Sequence, residues 1–113
     1  MSTQPATDRA LGKGLEGLGP GRMVTFRTID GFDLAAIVIG TVKQQREPAI
    51  QNRFVEIPDE LQLDADEPGR VHLCVLDYRL PQEGPAVVRT HVPFAGDDPD
   101  TIVPETWRWP QRM

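Results

Sequence analysis

The stretch MVTFRTIDGFDLAAIVIGTV, Met23 to Val42, decides the fold. Its first part alternates, with Val24 and Phe26 on one side and Thr25 and Arg27 on the other, which is the period-two pattern of a half-buried strand. Asp30-Gly31 follows as a two-residue turn, because a type I′ turn needs positive φ and Asp-Gly adopts it at little steric cost. The return run, Leu34 to Val42, is apolar on both faces, as a strand covered on two sides would be. Gly40 marks a bulge or a bend in that strand.

Downstream, the polar run Lys43 to Asn52 carries Pro48 and reads as a loop, and RFVEI, Arg53 to Ile57, reads as a short strand stopped by Pro58. PDELQLDADEPGR holds at most one turn of helix before Pro68-Gly69. VHLCVLDY, Val71 to Tyr78, reads as a strand with Val71, Leu73 and Val75 facing one way. AVVRTHVPF, Ala86 to Phe94, returns after a turn, and Thr101 to Val103 is a short last strand. Five or six short strands, and no helix longer than two turns, predict an all-β fold. A small SH3-like or similar barrel suits the length of 113 residues, with a small β-sandwich as the alternative. Residues 23–113 form this one domain, and residues 1–22 form a Gly- and Pro-rich arm.

Within the arm, GKGLEGLGPGR places glycines at Gly12, Gly14 and Gly17, a literal GxGxxG. A dinucleotide site needs a strand before the first glycine and a helix opening at the last. Here a polar tail precedes and Leu18-Gly19-Pro20-Gly21 follows, so no cofactor is expected. Leu11, Leu15 and Leu18 have helical i, i+4, i+7 spacing. The interleaved glycines each cost about 1 kcal/mol relative to Ala inside a helix, so the arm is expected to order only on a partner, through those three leucines.

Charge and residue chemistry narrow the function classes. A formal net charge of -5 with scattered basic residues argues against nucleic acid as a partner. Cys74 is the sole cysteine, which removes an intrachain disulfide and fits a reducing compartment. No run approaches the ~18 apolar residues of a membrane span and the N-terminus lacks a signal-peptide core, so a soluble protein made in a cytoplasm is expected, without a membrane partner.

His72 and Cys74 share a strand face, with His91 on a neighbouring strand, but structural zinc usually takes four ligands of these types. An apolar setting also disfavours a Cys74 thiolate. The acidic clusters, Asp64, Asp66 and Glu67, and Asp97, Asp98 and Asp100, match no calcium loop and read as solvated turns. No metal, catalytic residue or small-molecule substrate is therefore expected, and the chain reads as a non-enzyme. The C-terminal TWRWP puts Trp107 and Trp109 on one side of an extended segment and Arg108 on the other. Two such rings close the core or anchor a partner, with core closure expected for at least one and Arg108 available to an interface.

Three segments in order, LAAIVIGTV at Leu34 to Val42, VHLCVLDY at Val71 to Tyr78 and TWRWPQ at Thr106 to Gln111, resemble those of small β-barrel proteins encoded by actinobacteria and their bacteriophages. The last motif, Thr-Trp-x-Trp-Pro, is the distinctive one. The chain departs from the pattern at Phe32-Asp33, Asp77-Tyr78 and Arg108, where the family has a cysteine, an Asn-Pro turn and a histidine, so no role of those residues carries over. The resemblance implies a phage or prophage origin and a non-catalytic barrel. The expected function is that of a virion structural protein, a capsid decoration or minor head protein assembled in the host cytoplasm. Its barrel would sit on a capsid or other virion protein while the arm reaches a neighbouring subunit, with itself as a further partner. The contacts expected are Leu11, Leu15, Leu18, Trp107, Arg108 and Trp109. The alternative is a free SH3-like module that binds a peptide or host protein.

Overall fold

A computed structural model describes residues 14–47, 57–96 and 103–110. They form a nearly all-β domain: β1 (Met23–Arg27), β2 (Asp33–Gly40), a single-turn helix α1 (Val42–Gln45), a 3-10 turn at Asp59–Leu61, β3 (Val71–Leu76), β4 (Ala86–Val92) and β5 (Thr106–Arg108). The strands make one sheet in the order β4-β3-β2-β1-β5, with every neighbouring pair antiparallel. The predicted barrel is thus a curled half-barrel in which the last strand returns beside the first. Two expected strands, Arg53–Ile57 and Thr101–Val103, fall largely outside the described residues.

The inner face carries the core. Val24, Phe26, Leu34, Ala36, Val38, Val71, Leu73, Val75 and Trp107 are buried, and the alternation in β1, β2 and β3 accounts for each of the strand residues. The β1–β2 hairpin forms as expected, but its loop is longer than two residues. Thr28 pairs with Phe32 through its N–H to the Phe32 carbonyl (2.8 Å), and Gly31 N–H donates to the Thr28 carbonyl (3.0 Å). Only Gly31, at φ 90, takes positive φ, so this is a three-residue loop with the glycine in the left-handed position rather than a type I′ turn. Arg27 and Asp33, opposite each other at its base, form an ion pair at 2.6 Å.

Gly40 does mark a bulge, since the β2–β3 register shifts between Val38 and Gly40. A Cβ there would stand 2.9 Å from His72 Cδ2, so only glycine lets β2 pass that ring. Beyond it, the expected loop opens with α1. Thr41 caps the helix by accepting from Gln44 N–H while the Gln44 side chain accepts from Thr41 N–H, a capping box.

The half-barrel closes at one end. After β4, Trp107 N–H donates to the Pro93 carbonyl (3.0 Å) and Ala95 N–H donates to the Trp107 carbonyl (2.8 Å), with a parallel bridge at Phe94. Among the described residues the two outer strands meet only there. At the other end a mouth of about 280 Å³ separates Val87 and Arg89 of β4 from Phe26 and Thr28.

Candidate functional site

The residues expected to hold a partner divide sharply. Trp107 is fully buried, and its indole N–H donates to the Gly69 carbonyl (2.8 Å). Its ring packs against Phe94 at 4.5 Å and edge-on to Trp109 at 5.3 Å. Leu15 is 5% exposed within the same core, and Leu18 packs on it. The surface that orders these two leucines is the chain's own barrel. Residues 14–22 lie along the domain, with Gly21 N–H donating to the Val38 carbonyl (2.7 Å) and Val38 N–H to the Arg22 carbonyl (2.9 Å). Trp109 is half-buried, its N–H donating to the Gly14 carbonyl and the Arg22 guanidinium lying 5.7 Å from its ring centre. Arg108 sits half-buried opposite Thr25 on β1. Leu11 lies outside the described residues, as do Asp97, Asp98 and Asp100.

His72 and His91 meet edge to face at 4.8 Å, yet both are fasteners. His72 Nδ1 accepts from the His91 backbone N–H (3.1 Å), which leaves the proton on Nε2, 2.7 Å from the Leu61 carbonyl. His91 Nε2 donates to the Gln62 carbonyl (3.0 Å). Both nitrogens of the buried His72 are thus used, Nε2 tying the 3-10 turn to the sheet and Nδ1 spanning the register shift between β3 and β4. Cys74 lies on the opposite face from the core, between Ile37 and Val88. No group of three or more His, Cys, Asp or Glu able to hold a metal occurs among the described residues.

The feature absent from the sequence-based candidates is on that outer face. Strand register aligns Met23, Ile37, Cys74 and Val88 in one row across β1, β2, β3 and β4, and Ala35, Leu76 and Ala86 in the next. Met23 is 47% exposed and Val88 57%, and Ile39 and Leu76 are also exposed. Between them Ile37 and Cys74 are half-buried. The expectation that β2 is covered on two sides is therefore corrected for the chain by itself: Leu34, Ala36 and Val38 face the core, while Ala35 and Ile39 are exposed. The sequence signal was real, because apolar residues at Ala35, Ile37 and Ile39 are unusual on a solvated sheet face.

The row ends in an apolar groove of about 370 Å³ between Ile39, Val88 and Thr90 on the sheet and Ile57, Pro58 and Leu61 beyond it. On the opposite face of β4 lies the mouth, which is charged. There Arg79 bonds Asp77 through Nε (2.9 Å) and Nη2 (2.8 Å), reaches Asp30 with Nη1 (2.8 Å), and stacks on Phe32 at 4.5 Å. The Thr28 hydroxyl and then the Arg79 guanidinium hold the Asp30 carboxyl below its ordinary value; Arg79 does the same for Asp77. The Arg79 guanidinium is raised in turn, chiefly by its bonds to Asp77.

No protein-family model, curated protein or solved structure matches the chain.

Proposed function

We infer that the chain is a non-catalytic attachment protein that works by adding interface to a larger assembly, and that the assembly is a bacteriophage particle. The observation that carries the attachment reading is the outer row Met23, Ile37, Cys74 and Val88, a contiguous apolar strip exposed at Met23 and Val88 and half-buried between them. Contiguous exposed apolar surface on a small domain marks an interaction site far more often than scattered exposed residues do. The non-catalytic part is supported by His72, whose two ring nitrogens are both used in holding the fold. The particle part rests on the resemblance of TWRWPQ, VHLCVLDY and LAAIVIGTV to actinobacterial and phage proteins, and makes the virion the place of action. In this reading the barrel sits on a capsid or other virion protein as a decoration or minor head component.

Mass spectrometry of gradient-purified virions tests it. Presence of the chain at a fixed ratio to the major capsid protein is the expected result, and absence from the particle defeats the virion role. A second reading, a free peptide-binding module, is favoured by the groove beside Ile39 and Val88. A monomeric chain that binds peptides and never enters particles would establish it instead.

A further inference from the structure

The antiparallel pairing of β3 and β4 fixes which backbone groups of β4 are used. Asp77 N–H donates to the Pro85 carbonyl at 2.7 Å, and Asp77 and Pro85 stand opposite each other in the register that pairs Leu76 with Ala86. Hydrogen-bonded pairs recur at every second residue, so Val87 and Arg89 point their N–H and C=O groups at β3. Ala86 and Val88 point theirs away from it. Because β4 ends the sheet order, those groups have no strand beside them among the described residues. Strand edges left open in this way commonly carry a lysine or proline within them. The run Ala86–Thr90 carries neither, its prolines standing outside at Pro85 and Pro93 and its one charge, Arg89, facing the mouth.

Two cavities flank this one edge. The apolar groove touches Val88 and Thr90 on the outer face, and the mouth touches Val87 and Arg89 on the inner face. Only an extended backbone presents alternate side chains to both faces of a strand it pairs with. The two cavities also differ in chemistry. Beside the apolar groove, the mouth is lined by four carboxylates, Asp30, Asp77, Glu83 and Glu105, against two guanidiniums, Arg79 and Arg89.

We propose that β4 is a receptor edge for an extended segment of a partner protein, one that adds as a sixth strand, sends long apolar side chains outward into the groove and a lysine or arginine inward to the mouth. This deepens the attachment reading above and rests on it. A second copy of the chain fits less well. Its own β4 would offer only Ala86, Val88 and Thr90 to the outer face, side chains too short to fill the groove, and Pro85 and Pro93 limit the shared edge to about 24 Å.

The test uses the full chain and three capped synthetic peptides: alternating Leu and Lys, the same composition with the alternation scrambled, and alternating Leu and Glu. Saturable binding of the Leu/Lys peptide, at least about tenfold tighter than either control, is expected. Slowed hydrogen exchange at Ala86 and Val88 should accompany it. Val88→Pro removes an outward N–H and should abolish binding, and Val88→Lys, at an exposed position, should weaken it about tenfold with unchanged unfolding. Equal binding of the scrambled peptide overturns the proposal, as does binding that leaves those two amides unchanged. Protection of the two amides in the free monomer, or concentration-dependent dimerisation that protects them, overturns it too. Failure here with the chain present in virions leaves the attachment reading standing, whereas absence from virions with peptide binding intact removes the particle alone.

Discussion

Trp107 shows how much of a small domain one side chain can organise. Its ring is wholly buried, its backbone closes the half-barrel against Pro93 and Ala95, and its indole satisfies the Gly69 carbonyl. Trp107→Ala should cost about 3–5 kcal/mol in urea unfolding, and Trp107→Phe less, because a ring remains to fill the space. Loss near zero for the alanine variant would mean the closed end is not part of the core. The Arg79 cluster makes a different prediction. Asp30 and Asp77 have folded values lowered below 3.8, so their contribution is complete above that value and is lost as pH falls through the lowered folded values. Unfolding measured against pH should therefore show an acid limb below about pH 4 that flattens in Asp77→Asn. That Trp107 and Trp109 share a side was legible in the sequence, since it follows from strand period alone. The division of labour between them was not, because burial of Trp107 depends on Phe94 and Gly69, which are distant in the chain.

At the scale of elements, local chemistry predicts well where it is complete in the sequence and poorly where pairing decides. The alternation in Met23–Arg27, the Val71, Leu73 and Val75 face and the Gly40 bulge all follow from short-range patterns and appear in the structure. The signal for α1 was also present. Thr41-Val-Lys-Gln44 is a capping box, overshadowed by the apolar run that leads into it. Thr41→Ala should lower stability by about 1 kcal/mol, read by urea unfolding, through loss of the cap and of the anchor that α1 gives to Leu63. Leu15 belongs here as well. Its helical spacing with Leu18 suggested a partner-seeking arm, but the structure spends both on the barrel, with a turn closed by Leu18 N–H to the Leu15 carbonyl. Leu15→Ala should cost about 2–5 kcal/mol in the isolated chain. A change confined to the assembled state would restore the arm reading.

For the molecule as a whole, the decisive geometry is the mismatch between an apolar sheet face and what the described chain lays over it. The face was half legible: Ala35, Ile37 and Ile39 advertised a covered strand, but the row from Met23 to Val88 exists only once four strands pair in register, which no local window contains. The edge of β4, unpaired among the described residues, adjoins that row, so one substitution at Val88 probes the attachment surface while touching nothing in the core. The measurement that bears most directly on the account is incorporation of Val88→Glu into phage particles, quantified by mass spectrometry against the major capsid protein, with unfolding of the purified variant recorded alongside. The account predicts incorporation reduced about tenfold or more with stability within about 0.5 kcal/mol of the parent, as for an exposed position. Incorporation equal to the parent's would contradict it.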